Sequence, residues 1–372
     1  MKKGKAYFEQ GETYFRQMRF QEATQEYKKA LIEYNAALYD DLTVNRARYS
    51  AGFAHTRLGN FETAIDFLRK ALNLDPDDPD HIKAWYMLGV AYKEKYLQIS
   101  AKKKDLIEAL EYFQKVVECN PENIDAWNEI GYTCGVLGEY AEALECYQKI
   151  LELSPEYLFA WYRTGYIYKI LGEYTKALEC YQKTIELNPG YEMAWLGIGD
   201  VYKELGEYDK ALESYKKVID IDPRLEGSLR KKLNKLPEMK KLFDKGKEYF
   251  KQGKDKEALE QYILAVRLNP YRARIELGSV YLKLANFKKA VSQYKHVLRF
   301  NPKYVLAWYN MGFAYYNLDK KKKALECFQN TVELNPRFQK AWKLMGQIYK
   351  KIGNYDKAIE CHEKALEIDP KN

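Results

Sequence analysis

Histidine, cysteine and proline are scarce in this chain. Of 372 residues, four are His, six are Cys and eleven are Pro. No Cys-x-x-Cys pair occurs, so neither a paired-cysteine metal site nor a disulfide framework is expected. His55, His81, His296 and His362 form no spaced cluster with acids or cysteines. No His-Glu-x-x-His and no Gly-x-x-x-x-Gly-Lys-Ser/Thr segment appears. The chain therefore reads as a non-enzyme without metal or cofactor. No run approaches the roughly 18 uncharged apolar residues of a membrane helix. The start, Met1-Lys2-Lys3-Gly4-Lys5, leads into Phe8-Glu9-Gln10 with no signal-peptide core, so a cytoplasmic protein is expected. Charge of one sign is lacking too. Lys and Arg number 61 against 53 Asp and Glu, a balance of +8 that forces neither a nucleic-acid nor a membrane partner.

Aromatic residues are abundant: 15% of the chain, with 34 Tyr. With 47% apolar and 31% charged residues, the composition suits a folded protein. The placement of the punctuating residues is more informative. The six tryptophans are Trp85, Trp127, Trp161, Trp195, Trp308 and Trp342, and three of the steps between them are 34 residues. Four residues after each Trp stands a Gly: Gly89, Gly131, Gly165, Gly199, Gly312 and Gly346. Gly11, Gly52, Gly246 and Gly278 keep that phase without the Trp. An Ala usually follows twelve residues later, as in Ala143, Ala177 and Ala211. Nine prolines close the units, from Pro76 and Pro121 to Pro336 and Pro370, each after Asn, Asp or Ser.

The phasing of Trp, Gly, Tyr, Ala, aromatic and Pro over 34 residues resembles the tetratricopeptide repeat. The resemblance covers nearly the whole chain in about ten units. It implies an all-α fold, a right-handed α-solenoid superhelix of antiparallel helix pairs. Elementary packing agrees. With the Trp at position 4 of each unit, positions 4, 7, 8 and 11 share one helical stripe. Gly at 8 and Ala at 20 let the two helices approach, and large rings at 4, 11 and 24 fill the space around them. A second Gly (Gly59, Gly138, Gly172, Gly206, Gly253, Gly353) is placed to end the first helix in a left-handed conformation. Cys146, Cys180, Cys327 and Cys361 share position 23 and read as small packing residues.

Three places break the period. Residues 38–44 lengthen the first connection, and the third unit carries extra residues around Tyr96–Asp105. From Arg224 to Lys241, Leu225, Leu229, Leu233 and Leu236 recur at helical spacing before Pro237. That pattern predicts a short capping helix and hinge over 224–237, with a new helix starting at Pro237. The expected organisation is six repeats in 1–223, the cap, and four repeats in 238–372. No solvating helix follows the last unit, so its outer face should be partly bare and open to self-association or a partner.

In such arrays the resemblance places positions 2, 5, 6, 9 and 12 on the concave face. Carried onto this chain, that gives a candidate groove of Tyr49, Phe53, Tyr86, Lys93, Tyr132, Tyr162, Arg163, Tyr166, Lys169, Lys203, Tyr309 and Phe313. None of these positions has to be aromatic to hold a helix pair together. Aromatics flanked by cations suit a protein or peptide segment with apolar anchors and acidic residues. The same assignment of faces predicts that Trp161→Ala costs about 3–5 kcal/mol and that Tyr162→Ala costs far less. The carboxylate clamp of chaperone-tail binders is absent: Lys stands at position 5 only as Lys343 and Asn at position 6 only as Asn310. The Asn ladder of the sugar-nucleotide glycosyltransferases is absent too.

The reading is a non-enzymatic protein–protein interaction scaffold. The alternative is a nucleic-acid-associated protein using residues 224–256, which hold twelve Lys and Arg against five acids. A solvated hinge surface explains that run more simply.

Overall fold

Apolar residues keep the 3.6-residue period within each half-unit, and each half-unit is a helix. The computed structural model describes residues 1–38, 44–73, 81–268 and 270–368. Residues 39–43 of the first connection, Pro76 and the final Pro370-Lys371-Asn372 lie outside the described residues. Among the described residues no strand occurs.

The described contacts divide into two units, residues 1–163 and 164–372. The first contains α1 (Lys2–Arg16), α2 (Phe20–Ala37), α3 (Val44–Arg57), α4 (Phe61–Leu72), α5 (His81–Lys95), α6 (Lys103–Cys119), α7 (Ile124–Leu137) and α8 (Tyr140–Leu153). A π-helical turn, Tyr96–Ser100, takes up part of the insertion between α5 and α6. Next, α9 (Leu158–Ile170) begins in the first unit and ends in the second. The second continues with α10 (Tyr174–Leu187), α11 (Glu192–Leu205), α12 (Tyr208–Ile221), α13 (Glu226–Lys251), α14 (Asp255–Leu268), α15 (Pro270–Lys283), α16 (Phe287–Phe300), α17 (Val305–Asn317), α18 (Lys321–Leu334), α19 (Gln339–Lys351) and α20 (Tyr355–Ile368). Within each unit, first helices pack on their second helices, and second helices on the next first helix, as α16 does on α17 and α18 on α19. This is the stacking of an α-solenoid.

The position-8 glycine has a specific partner, the position-24 side chain of its own helix pair, which is a ring everywhere but at Leu68 facing Gly52. A Cβ added at Gly199 would lie 2.6 Å from the Tyr215 ring, and one at Gly11 2.6 Å from the Tyr27 ring. These rings are the largest fully buried side chains: Tyr27, Phe113, Tyr147, Tyr181, Tyr215, Tyr262, Tyr294 and Phe328. The tryptophans are only partly buried. Each of five indole N–H groups donates to the carbonyl of the Pro six residues earlier, as Trp127 does to Pro121 (2.8 Å) and Trp308 to Pro302 (2.7 Å). The Asn before the Pro closes the turn through its side chain: Asn188 Oδ1 accepts from Gly190 N and Asn301 Oδ1 from Lys303 N, both at 3.0 Å.

First helices end in a left-handed residue whether or not Gly is there. Gly59, Gly138, Gly172, Gly206, Gly253 and Gly353 have φ between +73° and +84°. Met18, Ala285 and Asp319 take the same position at +59°, +54° and +55°.

The 224–237 boundary is corrected. After a 3-10 turn at Pro223–Leu225, α13 runs unbroken through Pro237. Leu229, Leu236, Met239, Phe243 and Gly246 are buried along one stripe that continues across the proline. Pro237 removes one backbone hydrogen bond, while the stripe on both sides of it stays packed, so no hinge forms there.

Candidate partner-binding groove

In the first unit the sides of α1, α3 and α5 facing away from the second helices form an open wall. A cavity of about 700 Å³ lies against Phe8, Arg16, Tyr34, Arg46, Tyr49 and Phe53. A smaller one of about 270 Å³ continues from Phe53 and Lys83 to Tyr86 and Met87. A third, about 210 Å³, lies among Lys93, Leu97, Glu129, Tyr132, Phe159 and Arg163. Lys2, Arg16 and Arg46 line the first cavity without an ion pair among the described residues, whereas its Glu12 is tied to Arg57 at 2.7 Å.

Two predicted groove rings are withdrawn from solvent. Tyr49 is 2% and Tyr162 8% exposed, so neither offers its face to a partner. The expectation that position 5 need not be aromatic is corrected with them. Position-5 rings pack edge-on or tilted against the buried position-24 ring: Tyr86 on Phe113 at 5.7 Å, Phe243 on Tyr262 at 5.8 Å and Tyr309 on Phe328 at 5.9 Å. Tyr309 also meets Phe338 at 4.8 Å. Phe53, Tyr86, Tyr132, Tyr309 and Phe313 are half-buried, and Tyr166 is 40% exposed.

Of the predicted cations, Lys93, Lys169 and Lys203 are matched by internal acids. Lys93 is 8% exposed, with its ammonium 2.7 Å from Glu129, 3.3 Å from Glu94 and 5.4 Å above the Tyr132 ring. Burial pulls the Lys93 pKa down, but the two glutamates outweigh it and hold the group above the ordinary lysine value. Lys203 pairs with Glu204 at 2.8 Å, and Arg163 lies 4.8 Å over the Tyr132 ring. Lys169 and Lys232 share Asp200, at 3.6 and 2.8 Å, and Asp200 also accepts from the Tyr215 hydroxyl at 2.6 Å. Burial, reinforced by Lys232 and Lys203, lowers the Lys169 pKa. The signal that was missed is a register: position 12 of one unit meets position 6 or 9 of the next. Glu129 and Asp200 stand at those places in the sequence.

In the second unit the inner side closes on itself. Asn301 Nδ2 donates to the Gly172 carbonyl (3.0 Å), and Lys303 pairs with Glu173 (2.9 Å). Tyr174 meets Tyr271 edge-to-face at 5.6 Å, and α11 touches α15. A cavity of about 520 Å³ remains among Glu173, Tyr174, Glu204, Tyr271, Arg272 and Tyr304.

In the turn before α13, Arg224 is paired with Asp222, and on α13 Lys232 and Lys240 are paired with Asp200 and Asp209. Arg230, Lys231, Lys235, Lys241 and Lys245 are exposed. The four cysteines at position 23 are buried, and burial pushes the Cys146 thiol up to about 12. Among the described residues no three His, Cys, Asp or Glu are grouped to hold a metal, and no helix is long and apolar enough to cross a membrane.

Tetratricopeptide repeat family models match residues 46–78, 124–157, 159–191, 193–225, 242–272, 305–338 and 340–372, and a TPR repeat model matches 278–319. No curated protein matches the sequence. Among solved structures the chain is similar to MamA, at 28% identity over 46% of this chain and 95% of that one (TM-score 0.41). It is also similar to a chain of the APC/C hetero-tetramer Cut9-Hcn1, at 17% identity over 94% and 80% (0.37). A tetratricopeptide repeat protein from Parabacteroides merdae ATCC 43184 aligns at 17% identity over 82% and 98% (0.43).

Proposed function

Because the chain belongs to the tetratricopeptide repeat family, a family of protein–protein interaction scaffolds, we propose that it is a non-enzymatic scaffold holding a partner segment on the inner wall of α1, α3 and α5. One observation carries this reading. That wall is open and combines the apolar faces of Phe8, Phe53, Tyr86 and Met87 with the cations Lys2, Arg16 and Arg46, which have no ion pair among the described residues. A segment with apolar or aromatic anchors and acidic residues fits such a surface. The array farther along is less suited, because Lys93, Lys169 and Lys203 already have acidic partners. Tyr132 and Arg163, which line the cavity beside Lys93, extend the wall within the first unit.

Affinity purification from the native cell followed by mass spectrometry tests the reading. A folded Phe53→Ala/Tyr86→Ala variant should lose the partners that the wild type recovers. An unchanged set of partners from that variant would contradict it.

A second reading rests on the exposed cations of α13. A phosphate-contacting surface formed by Arg230, Lys231, Lys235, Lys241 and Lys245 would retain nucleic acid with a steep salt dependence. Filter binding across a salt series without any retention would eliminate it.

A further inference from the structure

The third unit is lengthened between its helices, and the added π-helical turn, Tyr96–Ser100, contains no buried residue. It carries Leu97 and Ile99, 44% and 61% exposed, and leads into Lys102, Lys103 and Lys104, all exposed. Those three lysines have no ion pair among the described residues. The insertion is nevertheless held in place. The Ser100 hydroxyl donates to the carboxylate of Asp105, which is buried and lies 4.0 Å from Lys95. Aliphatic side chains kept in water on a fixed turn mark a contact surface.

The turn between α1 and α2 has the same composition. Phe15, Met18 and Phe20 are 42%, 79% and 55% exposed, with the exposed Arg19 among them. Phe20 stays open although α3 packs on α2, whereas Phe61 and Tyr208 at the same position of their helices are buried. Met18 has φ +59° where six other first helices have Gly. A side chain in that conformation strains the backbone, and one this exposed recovers nothing by packing.

The two turns lie along one edge of the first unit. Arg57, at the end of α3, reaches Glu12 at 2.7 Å and lies 5.5 Å over the Phe15 ring. Lys95, at the end of α5, lies 3.6 Å from Glu62 at the start of α4. Glu12, Glu22 and Glu62 are each tied to a cation there, which leaves Lys102, Lys103 and Lys104 as the excess. Protruding tips cannot enclose a segment as a groove does. They can enter a flat, deformable apolar layer, with the lysines beside them on its anionic headgroups. Nucleic acid would engage the lysines and leave Met18 and Ile99 without a partner.

We infer that this turn edge docks the protein peripherally on an anionic lipid bilayer, with Met18, Phe20 and Ile99 entering the headgroup layer. The surface is separate from the groove on α1, α3 and α5.

Cosedimentation of the full chain with vesicles is the test. The wild type should sediment with phosphatidylcholine and phosphatidylserine mixed roughly 3:1, far more than with phosphatidylcholine alone, and salt should release it. Met18→Gly/Ile99→Ser should weaken binding at least about fivefold. Its melting temperature should not fall, because both side chains are exposed and Gly suits the left-handed position. Lys102→Gln/Lys103→Gln/Lys104→Gln should weaken binding at least about tenfold. Phe53→Ala/Tyr86→Ala should bind vesicles as the wild type does. No sedimentation at low salt, or equal sedimentation with phosphatidylcholine alone, overturns the inference. So does full binding by Met18→Gly/Ile99→Ser, since the cations would then serve any polyanion. A single protein trapped by p-benzoylphenylalanine at position 99 in the native cell would overturn it too, the occupant then being a protein.

Discussion

Single glycines in these helices have opposite consequences according to what faces them. At Gly199 a methyl group would meet the Tyr215 ring at 2.6 Å, while at Gly135 an added Cβ meets nothing within 4 Å. Ala is favoured over Gly in a helix interior by about 1 kcal/mol. At Gly135 that preference acts alone, and Gly135→Ala should stabilise by about 0.5–1 kcal/mol. At Gly199 overpacking opposes it, and Gly199→Ala should destabilise by about 1–3 kcal/mol. Urea denaturation of the two variants checks the pair, and equal effects would mean the slot is not tight. The neighbours Trp161 and Tyr162 give a second comparison. Sequence phase alone assigns the cost to Trp161. Yet Tyr162 is buried, while Trp161 is partly exposed with its indole N–H tied to the Pro155 carbonyl at 2.8 Å. Both alanine variants should therefore lose about 2–4 kcal/mol, and a negligible loss at Tyr162 would restore the original assignment of faces. The glycines that end first helices were legible because few other residues adopt their conformation. Met18, Ala285 and Asp319 at the same place were not, because there the conformation is held by the backbone bonds that close the helix end, such as Arg19 N to the Tyr14 carbonyl at 2.9 Å, and not by residue type. Glu129 and Asp200, the acids beside Lys93 and Lys169, stand one repeat farther along, and composition alone does not pair them.

At the scale of elements, α13 is where local rules and packing disagree. A proline preceded by a leucine stripe reads as a helix end. The structure instead continues the stripe through Leu236 and Met239 on either side of Pro237, and burial of these residues holds the helix across the missing hydrogen bond. Because Pro237 is exposed and costs backbone bonding, Pro237→Ala should raise stability by roughly 1–3 kcal/mol. Thermal unfolding measures this. A neutral or destabilising result would favour two helices meeting at a hinge.

Across the molecule, the repeat accounts for nearly every helix pair, but it does not foretell where the inner side is open. The closure in the second unit joins Gly172 to Asn301, 129 residues apart, and no periodic feature marks either end. Asn301→Ala/Lys303→Glu removes the amide bond to Gly172 and reverses the charge facing Glu173. Hydrogen exchange at Tyr174–Lys176 and in α15 should then rise roughly fivefold, equivalent to about 1 kcal/mol. Unchanged exchange would show that ring packing alone closes this side. Among the described residues the first unit has no such closure, and the partner is assigned to it. Placing the photo-crosslinking residue p-benzoylphenylalanine at Phe53 tests that assignment most directly, with the same residue at the exposed Glu118 of α6 as control. Irradiation in the native cell should trap a partner segment at 53 and not at 118. Capture at both positions alike, or at neither, would contradict a binding wall on α1, α3 and α5.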